Sequence, residues 1–119
     1  MATVVSSALD LLESGESALV LFTRGPRLSI NPDASGSSGN WVLDCARQVD
    51  HVIIYNKRPY GDTSRVDVYL AEHTGTAESS ESGRYVVHFQ NVRLVGEAGG
   101  NWHEFAETGA NPVRFISKD

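Results

Sequence analysis

The chain has 119 residues, of which 40% are hydrophobic and 21% charged, a single cysteine, and a formal net charge of −5. That length and composition suit one domain over residues 1–119 with a core of its own, and are too apolar for disorder. The acidic balance excludes a general phosphate-binding coat, lone Cys45 excludes an internal disulfide, and no run approaches the ~18 apolar residues a helical membrane span needs.

In chain order, Val5, Ala8, Leu9 and Leu12 recur at helical spacing, with Asp10 and Glu13 opposite and Gly15 as a stop, which predicts a first helix. Ala18 to Arg24 is a continuous apolar run closed by Gly25-Pro26 and predicts a strand buried on both sides. The stretch 31–39, NPDASGSSG, has no periodicity and predicts a mobile loop. Asn40 is a good N-cap, and Val42, Cys45, Ala46 and Val49 behind it make a second helical stripe with Trp41 at its mouth.

His51 to Tyr55 is β-branched and aromatic and predicts a strand, followed by a turn-rich loop over Asn56–Ser64 that carries Lys57, Arg58 and Tyr60. Alternation over 66–71 and again over 85–90 predicts a hairpin in which Leu70 stands opposite Val87. That register leaves Asp67, Tyr69, His88 and Gln90 together on the other face, with a long acidic tip over Thr74–Gly83. The alternation slips after Gln90, and a bulge near Gln90-Asn91 would return Val92 and Leu94 to the core and bend the strand. Asn101 and Glu104 have capping-box spacing for a short helix through Ala106, and Asn111 to Ile116 predicts an edge strand with Pro112 at its start. Gly-Asn-Trp occurs at 39–41 and at 100–102, which reads as the same helix-start chemistry used twice.

These elements predict an α+β domain: a small, strongly bent or closed β-barrel of five to six mostly antiparallel strands, plugged by two or three short helices.

Chemistry-bearing patterns are sparse. Histidines 51, 73, 88 and 103 show no metal-ligand spacing, so no metal or cofactor is expected. The expected hairpin register would bring Asp67, Tyr69 and His88 together as an acid–base set, although a solvated polar face explains the same residues. Cys45 lies on an apolar stripe and reads as core. A more distinctive set is aromatic and basic. Trp41, Tyr55, Tyr60 and Trp102 fall at element ends, and Arg24, Arg27, Lys57 and Arg58 lie in flanking loops. Aromatic faces beside a few cations suit a pocket that stacks a flipped base, whereas tryptophans anchoring helix starts would need no ligand.

The order of a buried strand, a Trp-led helix, a strand ending at Tyr55, the run Val66-Asp-Val-Tyr-Leu-Ala-Glu72 and the long strand from Arg84 to Arg93 resembles the PUA-like superfamily. That superfamily includes the EVE, YTH, ASCH and SRA groups. The resemblance implies a barrel with a pocket for an RNA base or a modified DNA base, and gives places to Trp41, Tyr55, Lys57 and Arg58.

Three functions follow as expectations. The first is a non-enzymatic module that recognises a nucleobase, modified or not, in DNA or RNA. The second is a protein-interaction or inhibitor domain, of the immunity or antitoxin kind, docking a basic protein through an acidic surface with the exposed loop Thr74–Gly83, which carries Glu78 and Glu81. The third is a small hydrolase or nuclease using His88, Tyr69 and Asp67. A cytoplasmic location without a membrane partner is expected for all three.

Overall fold

The computed structural model describes residues 3–23, 28–43, 48–57, 65–99, 105 and 113–118. Its elements in chain order are a 3-10 turn at Ala8–Leu11 and seven strands: β1 (Ser17–Thr23), β2 (Leu28–Ile30), β3 (Gly36–Trp41), β4 (His51–Lys57), β5 (Arg65–Glu78), β6 (Tyr85–Gly99) and β7 (Val113–Ser117). All seven form one mixed sheet in the order β2-β3-β6-β5-β4-β1-β7. Only β1 and β4 run parallel; every other neighbouring pair is antiparallel.

This architecture corrects the expected α+β barrel. The sheet is open, ending at β2 on one side and β7 on the other, so no barrel closes. The first predicted helix is only the 3-10 turn Ala8–Leu11, capped by Ser7. Its apolar stripe is real, since Val5, Ala8 and Leu12 are all buried, but an extended segment and one tight turn deliver it. The expected loop over 31–39 persists only as the turn at 31–35; its remainder and the expected helix start at Asn40-Trp41 are replaced by β3. Small residues carry no hydrophobic period, yet they let backbones approach closely. A Cβ on Gly36 would lie 2.8 Å from the Phe89 ring and still closer to the Ser29 carbonyl of β2. Of the rest of the second predicted helix, Val42, Leu43, Gln48 and Val49 are not helical and Val42 is 62% exposed, while 44–47, including Cys45, and all of the third except Phe105 lie outside the described residues.

The two long strands differ from the expected hairpin in register. Leu70 pairs with Arg93, and Val87 pairs with Thr76. Pairing continues out to Glu78 and Tyr85, so much of the expected loop at Thr74–Gly83 is strand. The slip in alternation after Gln90 does mark a bulge: β6 uses three steps from Gln90 to Arg93 where β5 uses two, and Asn91 adopts φ 52°. Further shifts lie between Val68 and Tyr69 and between His73 and Gly75. Together they bend the paired strands. Val92 packs against the core, whereas Leu94 remains 58% exposed.

Both faces of the sheet carry a core, which is why β1 and β4 read as continuous apolar runs. One face gathers Ala18, Val20, Ile53, Tyr55, Val66, Val68 and Leu70 beneath Val5, Ala8, Leu12 and Phe105. The other gathers Leu19, Leu21, Val52, Ile54 and Ala71 with Val113 and with Trp41, Val87 and Phe89 from the far side of the sheet. Leu70 and Val87 therefore belong to different cores.

Candidate functional site

Trp41 and Tyr55 were expected at one opening, and the sheet separates them. Trp41 is 5% exposed in one core, where its indole Nε1 donates to Ser38 Oγ at 3.0 Å. Tyr55 is fully buried in the core of the opposite face, against Phe22 and Phe105. Burial pushes its phenol up to about 12, and its Oη donates to the Gly99 carbonyl at 2.6 Å. Both rings are anchors in the structure, and neither presents a face for stacking. Lys57, two residues beyond Tyr55 at the end of β4, is half-buried. The expectations at Arg24, Arg27, Arg58, Tyr60 and Trp102 lie outside the described residues.

The acid–base set also fails to assemble. His88 stands opposite Gly75, six residues along β5 from Tyr69. At the ordinary rise of an extended chain that is roughly 20 Å. Asp67 and Tyr69 share one face of β5, but His88 is not within reach of either. Among the described residues no group of three His, Cys, Asp or Glu side chains is placed to hold a metal ion.

Two polar features emerge instead that residue types alone did not reveal. The first is a row across four strands at the end where β1 and β4 finish. Thr23 pairs with Asn56, Asn56 with Asp67, and Asp67 with Glu97. Thr23 is buried and the other three are half-buried. The Asn56 Oδ1 is buried with no hydrogen-bond partner among the described residues, an arrangement that costs free energy unless a donor is supplied. The signal for this row was strand register, which one sequence does not expose.

The second feature is an open groove of about 400 Å³ between the β2–β3 turn and the bent part of β5 and β6. Its walls are Asn31, Ser35, Ser37, Thr74, His88 and Gln90, over Gly36 and Phe89. Here His88 is exposed among neutral hydrogen-bonding groups, with no carboxylate among the described lining residues.

The hairpin itself projects beyond the sheet's centre. Pairing of β4 with β5 ends at His51 and Glu72, followed by one bond from the His73 N–H to the Asp50 carbonyl at 3.3 Å. From Thr74 to Glu78, β5 pairs only with β6 among the described residues. Glu72, Glu78 and Glu81 are exposed on this arm, against one exposed cation, Arg84.

No family model matches the chain, and neither a curated protein nor a solved structure matches it. The PUA-like resemblance thus rests on the sequence pattern alone.

Proposed function

We propose that this chain is a protein-interaction domain that docks a basic partner through the β5–β6 hairpin. The observation that carries this reading is the stretch of β5 from Thr74 to Glu78, paired only with β6 among the described residues, on an arm bearing Glu72, Glu78 and Glu81. An exposed strand edge offers backbone groups for pairing with an added chain. Carboxylates along it repel acidic edges, including those of its own copies, and steer basic surfaces toward it. The chain's net charge of −5 works in the same direction.

The test compares wild type with Glu78→Lys/Glu81→Lys in pulldowns from the native cell at low and high salt. The reading expects basic proteins retained by wild type at low salt and lost in the charge-reversed variant. Equal retention by both proteins overturns it.

A second reading, recognition of a nucleobase, is favoured by the Asn56 Oδ1, without a partner among the described residues, beside the end of β4, where Lys57 lies. An acceptor short of a donor suits the exocyclic amino group of a base, and a nearby ammonium suits a phosphate. Titration of a labelled oligonucleotide at low salt, with and without modified bases, tests it against Asn56→Leu. Absence of binding at tens of micromolar, or equal binding by the variant, removes this reading.

A further inference from the structure

The groove beside His88 has a composition that neither docking reading uses. Its six polar wall residues are neutral hydroxyls, carboxamides and one imidazole. Hydroxyls and carboxamides each donate and accept, as does a neutral imidazole. One wall is fixed in advance. Ser35 Oγ donates to Asp33 Oδ1 at 2.6 Å and accepts from Asn31 Nδ2 at 3.1 Å, while the Ser35 N–H also reaches Asp33 Oδ1 at 3.1 Å. The turn is in turn pinned to β6 by the Val92 N–H, which donates to the Ala34 carbonyl at 2.9 Å. The opposite wall is set by the irregularity between His73 and Gly75, where Thr74 stands. Ser37, His88 and Gly75 lie side by side across β3, β6 and β5, and the space around Gly75 is open.

What the groove lacks narrows its ligand. Among the described residues no lysine or arginine lines it, so they offer a phosphate or carboxylate no counter-charge there. Exposed Glu72, paired in register with Gln90 and accepting from the Asn91 amide, adds negative charge nearby. Phe89 is only 2% exposed, so it offers no face on which a nucleobase could stack. Among the described residues no other apolar side chain lines the groove to hold the side chains of a peptide. A ligand that is neutral and carries several adjacent hydroxyls matches every group present. We infer that this groove binds an uncharged saccharide, by its volume a mono- or disaccharide.

The experiment is an amide-detected NMR titration of the full chain with glucose, N-acetylglucosamine, maltose and lactose, and with inorganic phosphate as the charged probe. At least one sugar should give saturable shifts at the amides of 35–37, 74 and 88–90, with half-saturation in the millimolar range and no such response to phosphate. Gln90→Ala and Thr74→Val should each weaken that sugar by about tenfold, the equivalent of one or two lost hydrogen bonds, and leave the amides of β1 and β4 in place. No saturable change with any of the four sugars overturns the inference. So does an equal response to phosphate, or undiminished binding by both variants.

Discussion

Tyr55 of β4 donates its phenolic hydrogen to the carbonyl of Gly99 at 2.6 Å, reaching past β5 to the end of β6. The ring lies between Phe22 at 5.4 Å and Phe105 at 4.8 Å between centroids. A buried phenol with a firm acceptor ties three strands together at the end of the sheet where β4 stops.

Tyr55→Phe keeps the ring and removes that bond, which should cost about 1 kcal/mol in urea unfolding at neutral pH. The pH dependence has a definite sign. Burial raises the folded phenol from 10.0 to about 12. Its contribution is therefore complete below pH 10.0 and fades as pH rises toward 12, where ionisation favours the unfolded chain. The advantage of wild type over Tyr55→Phe should shrink across that window. An advantage that stays constant would show that the phenol is not held as its neutral form.

Trp41 is an anchor, and its removal should show it. It is 5% exposed and its indole N–H reaches Ser38, itself 1% exposed. Trp41→Ala should cost about 3–5 kcal/mol by leaving a cavity and removing the bond to the Ser38 hydroxyl. Thermal or urea unfolding measures this. A near-neutral effect would place the indole outside the core.

The strands were legible where side chains announce them. Residues 18–22 and 52–55 are apolar on consecutive positions because both faces of β1 and β4 are covered. The bulge at Asn91 was legible as a break in alternation. Strand β3 was hidden because Gly36-Ser-Ser-Gly39 pairs through its backbone, and its glycines serve close approach to Ser29, Phe89 and Val86. The buried stripe of Val5, Ala8 and Leu12 was legible as burial but not as geometry, since a bent extended segment and a helix can present the same residues to a core.

The candidate site was less legible, because it depends on register. Reading only one core face behind the hairpin set Leu70 against Val87, whereas the two contribute to separate cores. That error placed His88 beside Tyr69 and concealed the row of Thr23, Asn56, Asp67 and Glu97. Trp41 and Tyr55 sit near element ends in sequence, but position along a strand does not say which face a ring occupies.

Glu16 gives an acid-side prediction. Its Oε1 accepts from the Glu13 N–H at 2.8 Å, and its Oε2 lies 2.7 Å from His51 Nε2. The backbone donor first, and then the imidazole, hold its carboxyl below the usual glutamate range. Such a group stabilises the fold above its unfolded pKa and loses that effect as pH falls through the lowered folded value. Glu16→Gln should thus lower the urea midpoint at neutral pH, with the gap to wild type closing in acid. The same corner binds the end of the chain, since the Lys118 N–H donates to the Glu16 carbonyl at 2.9 Å. Amide exchange at Lys118 should quicken in the variant; a pH-independent gap would assign the effect to packing.

Gly96 governs how the N-terminal segment seats. Thr3 and Val5 flank Glu97, whose N–H donates to the Thr3 carbonyl at 2.7 Å and whose carbonyl accepts from the Val5 N–H at 2.8 Å. A Cβ on Gly96 would press into that Thr3 carbonyl and come within 3.1 Å of the Val5 side chain. The segment has no room to shift without giving up both bonds and uncovering Val5, which is 5% exposed over its core. Gly96→Ala should therefore destabilise by about 1–3 kcal/mol. The cause can be isolated by a cycle with a chain that starts at Ser6. If the clash lies with Thr3 and Val5, the shortened chain should lose little further stability when Gly96 becomes alanine. Equal losses in the full and shortened chains would locate the strain within β6 instead.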